Sequence, residues 1–121
     1  MMEPQQPDGY LEVERRDDAV IARFSREVVL TGLEAETAAE QLTALLAEPG
    51  RQRLLIDFGN VRSLSSLMLS KLIVLHRAAG SAGMRLALFN LRPDVRGILE
   101  ITRLNLILSL YGDEAEALQS P

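Results

Sequence analysis

The chain has 121 residues, 47% of them hydrophobic and 25% charged, with a net charge of -4, no cysteine and one histidine. That length suits one domain with a single core, and the composition excludes wholesale disorder. The acidic balance, without any basic block, argues against nucleic acid as a direct partner, while the cysteine and histidine counts exclude disulfides, thiolate metal sites, a cysteine nucleophile and a histidine metal cluster.

The opening "MMEPQQPDGY" has neither the basic region nor the apolar run of a signal peptide, and no apolar segment reaches the roughly 18 residues of a membrane-spanning helix. A cytoplasmic protein without membrane insertion is expected. Residues 1–9 read as a flexible lead-in and residues 10–119 as the domain. From Tyr10 to Phe24, apolar residues alternate through Leu11 and Val13, then Val20, Ala22 and Phe24, with Asp17 and Asp18 between the runs. This predicts a β-hairpin whose other faces are charged. Thr31 and Glu34 have capping-box spacing, and Leu33, Ala38, Leu42, Leu45 and Leu46 then recur at helical intervals until Pro49-Gly50. "RLLIDF" is an unbroken apolar run, as expected of a strand covered on both faces and ended by Asp57.

"GNVRSLSS" reads as a loop, followed by a second helix from about Ser66 to Ala79 that leaves through the glycines of "AAGSAG". "MRLALF" is another buried-type strand. "RPDVRGILEIT" follows as a helix, with Pro93 and Asp94 in its first turn and Val95, Ile98, Leu99 and Thr102 on one face, although Gly97 weakens it. "LILSLY" reads as a last strand, and "DEAEAL" as a terminal helix with Asp113 and Glu116 at capping-box spacing. The order β-β-α-β-α-β-α-β-α predicts an α/β domain: a mixed, mostly parallel sheet of four to five strands with an N-terminal antiparallel hairpin, flanked by about four helices.

Functional sites in such sheets favour the carboxyl ends of the strands, where Ser65 and Ser66 lie. One serine is accounted for as an N-cap, and Ser66 is the one expected to cap the helix. Catalysis by the other would need a base, and His76, ten residues into the helix, stands roughly 15 Å away along its axis. His76 itself reads as a partly buried helix residue. A phosphorylated serine is the sharper alternative, because a helix N-terminus accommodates phosphate through its free N–H groups and dipole. Leu67, Met68, Leu69, Leu72, Ile73, Val74 and Leu75 point around the whole helix axis. With Leu69, Leu72, Ile73 and His76 facing the sheet, Leu67, Val74 and Ala78 remain either for neighbouring helices or for a partner. Asp57 has no acidic neighbours to hold magnesium, so it reads as a loop-ordering acceptor. No cofactor or metal is expected.

The segment "LLIDFGNVRSLSSLMLSKLIVLHRAAGSAGMRLALFNLRPDVRGILEITRLNLILSLY" resembles the STAS family, the anti-sigma factor antagonists and their relatives. The resemblance rests on a strand ending in Asp57, a serine loop entering a helix, "NLRPDV" after a strand, and "ITRLNLIL" before the last one. It implies a STAS-like domain whose partner is an anti-sigma factor that is also a serine kinase. The family motif Asp-Ser-Ser-Gly-Leu aligns with Ser65 to Leu69, so that Ser66 falls on the phosphoserine and only Ser66 and Leu69 match. Ser66, Ser65 or neither is then the phosphoacceptor, and Ser65, Ser66, Leu67, Met68 and Leu69 form the partner-binding entrance. The alternative is a scaffold domain that self-associates, as a homodimer for instance, or binds a partner without being phosphorylated.

Overall fold

The computed structural model describes residues 10–120, so the lead-in expected over residues 1–9 lies outside the described residues. Strands β1 (Leu11–Arg16) and β2 (Ala19–Phe24) form the expected antiparallel hairpin, with Leu11 opposite Phe24 and Arg16 opposite Ala19. Asp17 in its turn takes a left-handed conformation (φ 55°), which aspartate tolerates better than most residues. β2 then pairs in parallel with β4 (Arg53–Asp57), β4 with β6 (Arg85–Phe89), and β6 with the short β7 (Ser109–Tyr111). The sheet order is β1-β2-β4-β6-β7: five strands, parallel except for the hairpin. This is the α/β architecture the sequence predicts.

Helices α1 (Gly32–Ala44), α2 (Ser66–Ser81) and α3 (Pro93–Ile101) bury Leu42, Leu72 and Leu99 in the main core with Val20, Leu54, Ile56 and Leu88. The short α4 (Glu114–Gln119) covers the other face, where Ile21, Leu55, Ala87 and Phe89 meet Ala117. Ile21 corrects the expectation that the hairpin's second face is wholly charged: β2 is an interior strand and is covered on both faces.

Several boundaries differ from the sequence reading. Two short strands, β3 (Val28–Leu30) and β5 (Val61–Leu64), pair in parallel as a separate small sheet, and β5 occupies what reads as loop. Thr31 precedes α1 without a side-chain cap bond, so that capping box does not form. Leu33 projects into water, 75% exposed, because Ala35, Ala38 and Leu42 define the buried side of α1. Leu45 and Leu46 belong to a 3-10 turn that follows. Thr102 lies just beyond α3, exposed, with its hydroxyl donating to Ile98 O (2.8 Å). The last strand begins only at Ser109, because Arg103 turns left-handed (φ 63°) and a 3-10 turn over Leu104–Leu106 intervenes. At α4 the cap does form: Glu116 N–H donates to Asp113 Oδ1 (2.9 Å), and Gly112 N–H donates to Glu116 Oε1 (2.6 Å).

Candidate functional site

The small sheet β3–β5 sets the entrance to α2. Asn60 in the turn before β5 donates its amide to Phe24 O (2.8 Å), and its own carbonyl accepts from Val28 N–H (2.8 Å), which fastens the turn to the end of β2 and the start of β3. Leu30 and Leu64 then pair side by side. Immediately after them, Ser65 N–H donates to Leu30 O (3.1 Å), and the Ser65 hydroxyl points at the same oxygen (3.3 Å). Met68 N–H donates to Ser65 Oγ (3.3 Å), so Ser65, in an extended conformation, is the N-cap of α2. It satisfies a first-turn donor that has no partner within the helix.

Ser66 is therefore the first helical residue rather than the cap. It is exposed, and its hydroxyl makes no hydrogen bond among the described residues. Adjacent serines thus have separate conditions: one oxygen is engaged in holding the backbone, the other is free. The side chains that follow divide as sharply. Met68 is 1% exposed and anchors the turn in the core, Leu69 is half-buried against that core, and Leu67 projects outward. Of the expected binding entrance, Ser66 and Leu67 face solvent, while Met68 supports them from beneath.

The buried side of α2 runs through Met68, Leu72, Leu75 and Ala79. It is rotated from the expected Leu69, Leu72, Ile73 and His76; those flanking residues, Leu72 apart, are only half-buried. Turning about 100° per residue, Leu67, Lys71 and Val74 fall on the side of α2 nearer α1, whose residues share a groove with Lys71 and Val74. Val74 remains 60% exposed, so the neighbouring helix does not cover this stripe.

Asp57 lies on the second face at the end of β4. Its Oδ1 accepts from Gly59 N–H (2.8 Å) and from the Asn90 amide (3.3 Å), and its Oδ2 stands 3.8 Å from Arg23 Nε. These bonds join the β4–β5 turn to the residue after β6. Glycine at 59 leaves room for this approach: a Cβ there would stand 3.1 Å from Asp57 Oδ1 and push the carboxylate aside. His76 and Gly80 of α2 line a cavity of about 330 Å³ with Met84 beyond the helix end, away from Ser66. The structure does not bring His76 or Asp57 to the serines. Among the described residues no cluster of histidine, cysteine or carboxylates has the makings of a metal site. No helix among them is long and apolar enough to cross a membrane.

Arginines and carboxylates pair on the second face around Arg23. Arg23 donates to Glu14 (2.8 Å) and Glu114 (2.6 Å), and Arg16 donates to Glu14 (2.9 Å). The hydrogen bonds from Arg16 and Arg23 hold the Glu14 carboxyl below the usual carboxylate range, and Arg15 does the same for Glu48.

The sequence signal for β3 is the alternation of Val28 with Leu30, too short to read without its partner, while in β5 the buried Val61 and Leu64 stand three residues apart and give no strand period at all.

The STAS domain model matches residues 10–117. The chain is similar in structure to an anti-sigma factor antagonist from Mycobacterium paratuberculosis (TM-score 0.78, 22% identity, 95% of this chain and 96% of that one). It is equally similar to a putative anti-sigma factor antagonist from Thermotoga maritima (TM-score 0.78, 20% identity, 93% and 94%). The anti-sigma factor antagonist SpoIIAA in its unphosphorylated form also matches (TM-score 0.71, 16% identity, 89% and 92%), as does the Bacillus protein in its phosphorylated form (TM-score 0.64, 16% identity, 89% and 96%). At these identities the likeness establishes the fold alone. No curated protein matches the chain in sequence.

Proposed function

The chain belongs to the STAS domain family, and on that premise we propose that it is a non-enzymatic cytoplasmic switch that binds an anti-sigma factor with serine kinase activity through the entrance to α2. Ser66 is the phosphoacceptor. The observation that carries this reading is the unequal condition of the serines: Ser65 Oγ is committed to Met68 N–H and Leu30 O, whereas the Ser66 hydroxyl is exposed and unbonded among the described residues. A kinase reaches Ser66 without dismantling the cap. Phosphorylation of Ser65 would forfeit it.

A phosphate on Ser66 adds about -1.5 to -2 charges at the first helical residue, where the helix dipole and free N–H groups favour it. The fold therefore survives, and the change is felt by the partner. Leu67, the next residue, gives the adjoining surface an apolar character. Seating an uncompensated charge against such a contact costs several kcal/mol, enough to release a bound protein. SpoIIAA, known in phosphorylated and unphosphorylated forms, lends the reading support by analogy of fold.

The test is to incubate the chain with ATP and its anti-sigma factor, and to locate phosphate by mass spectrometry of the peptide spanning Ser63 to Lys71. Phosphate on Ser66, abolished by Ser66→Ala and accompanied by loss of partner binding in Ser66→Glu, is expected. Phosphate on Ser65, or a Ser66→Glu variant that binds as tightly as wild type, defeats the proposal.

A further inference from the structure

Apart from Val29, the large apolar side chains left in water fall into separate groups with unlike charge. The first lies on the α1–α2 layer. A groove of about 390 Å³ between these helices is lined by Glu36, Ala39, Glu40, Thr43, Lys71 and Val74. Leu33 shares a side of α1 with Glu36 and Glu40, by its spacing of three and seven residues, and Leu67 shares a side of α2 with Val74. Leu33 and Val74 are 75% and 60% exposed, and neither Glu36 nor Glu40 has an ion-pair partner among the described residues.

The second group lies at the turn between α3 and β7. Ile101 and Leu106 are 84% and 72% exposed, and Ile107 beside them is half-exposed. Arg103 sits between them without an ion-pair partner among the described residues. Each helix runs back from the strand ends to the strand starts, so this corner lies at the end of the layer opposite the first turns of α1 and α2.

We propose that the chain associates with a second copy of itself through these unlike patches, the α3–β7 corner of one molecule seated in the α1–α2 groove of the next. Neither patch suits its own duplicate. Groove against groove would set Glu36 and Glu40, two carboxylates against the one ammonium of Lys71, before the same set, and corner against corner would face Arg103 with Arg103, juxtapositions in which like charge prevails. Groove against corner instead brings Glu36 and Glu40 to Arg103 while covering Val74 and Leu33 with Ile101 and Leu106. The contact is heterologous, made by different surfaces on the two molecules.

Analytical ultracentrifugation of the full chain tests this with Val74→Asp in the groove and Leu106→Asp at the corner, both at exposed sites where folding can be verified by melting curves. The wild type is expected to gain average mass as its concentration rises about a hundred-fold through the micromolar range. Each variant alone should need a concentration at least about ten-fold higher to associate. An equimolar mixture should recover a 1:1 complex, because Val74→Asp keeps an intact corner and Leu106→Asp an intact groove. The charge pair Glu40→Arg and Arg103→Glu should behave in the same way, weak alone and restored when mixed. A wild type that stays monomeric overturns the proposal, as does a single variant that associates normally or a mixture that fails to recover.

Discussion

Replacing Ser65 by alanine should destabilise the domain, and replacing Ser66 should not. Ser65→Ala removes the acceptor of Met68 N–H and the donor to Leu30 O, both at 3.3 Å. The loss at Leu30 is buffered, because the Ser65 backbone N–H still donates to that oxygen at 3.1 Å. What remains is the missing cap, and bonds at the long end of the normal range place it near the middle of cap-removal costs, about 1 kcal/mol. For a domain of this size that corresponds to a fall in melting temperature of about 4 °C. Ser66→Ala removes a hydroxyl that bonds to no described residue and introduces a better helix former, so its stability should stay within about 0.5 kcal/mol of wild type. Urea titration of the wild type and both variants measures the difference. A Ser66→Ala variant less stable than Ser65→Ala would refute the assignment of the cap and, with it, the argument that Ser66 is the free hydroxyl.

Truncating neighbouring residues should separate support from surface: Met68→Ala, in the core, should cost about 2 to 4 kcal/mol, and Leu67→Ala less than about 1 kcal/mol, measured by the same titration. Asp57→Ala leaves the Gly59 N–H without its acceptor and should cost about 1 to 2 kcal/mol, with faster hydrogen exchange at Gly59; unchanged exchange would mean that the carboxylate does not order the turn. Glu14 and Glu48 have carboxyl groups depressed by hydrogen bonds from Arg16, Arg23 and Arg15. A depressed carboxyl contributes stability that is fully present above its unfolded pKa and lost as pH falls through its folded value. Urea midpoints should therefore decline on acidification below the ordinary carboxylate range, less steeply in Glu48→Gln and in high salt, and a midpoint that rises on acidification contradicts the sign.

The sheet and its helices were legible because their signals are local. Leu54 to Ile56, between Arg53 and Asp57, and Leu86 to Phe89, between Arg85 and Asn90, are short unbroken apolar runs of the form expected of strands covered on both faces, and Pro49-Gly50 excludes continued helix on backbone grounds. Asp113 and Glu116 formed their cap, whereas Thr31 and Glu34 at the same spacing did not, so the spacing marked both helix starts but not which cap bond would form. The family resemblance, carried by the order of these pieces, was legible for the same reason.

Tertiary structure decided what depends on partners distant in sequence. α2 is apolar around most of its circumference, so its own periodicity does not select a buried side; packing against the sheet selected Met68, Leu72, Leu75 and Ala79. β3 and β5 are short and come from segments about thirty residues apart, so neither is stable or recognisable until it pairs with the other. That pairing distinguishes the serines. Leu64 beside Leu30 brings the next residue, Ser65, to the Leu30 carbonyl and makes it the cap, leaving Ser66 one position into the helix with its hydroxyl in water. The sequence by itself determined that a serine opens this helix; the register of the small sheet determined which one, because a hydrogen bond to a fixed carbonyl admits only one of two adjacent residues.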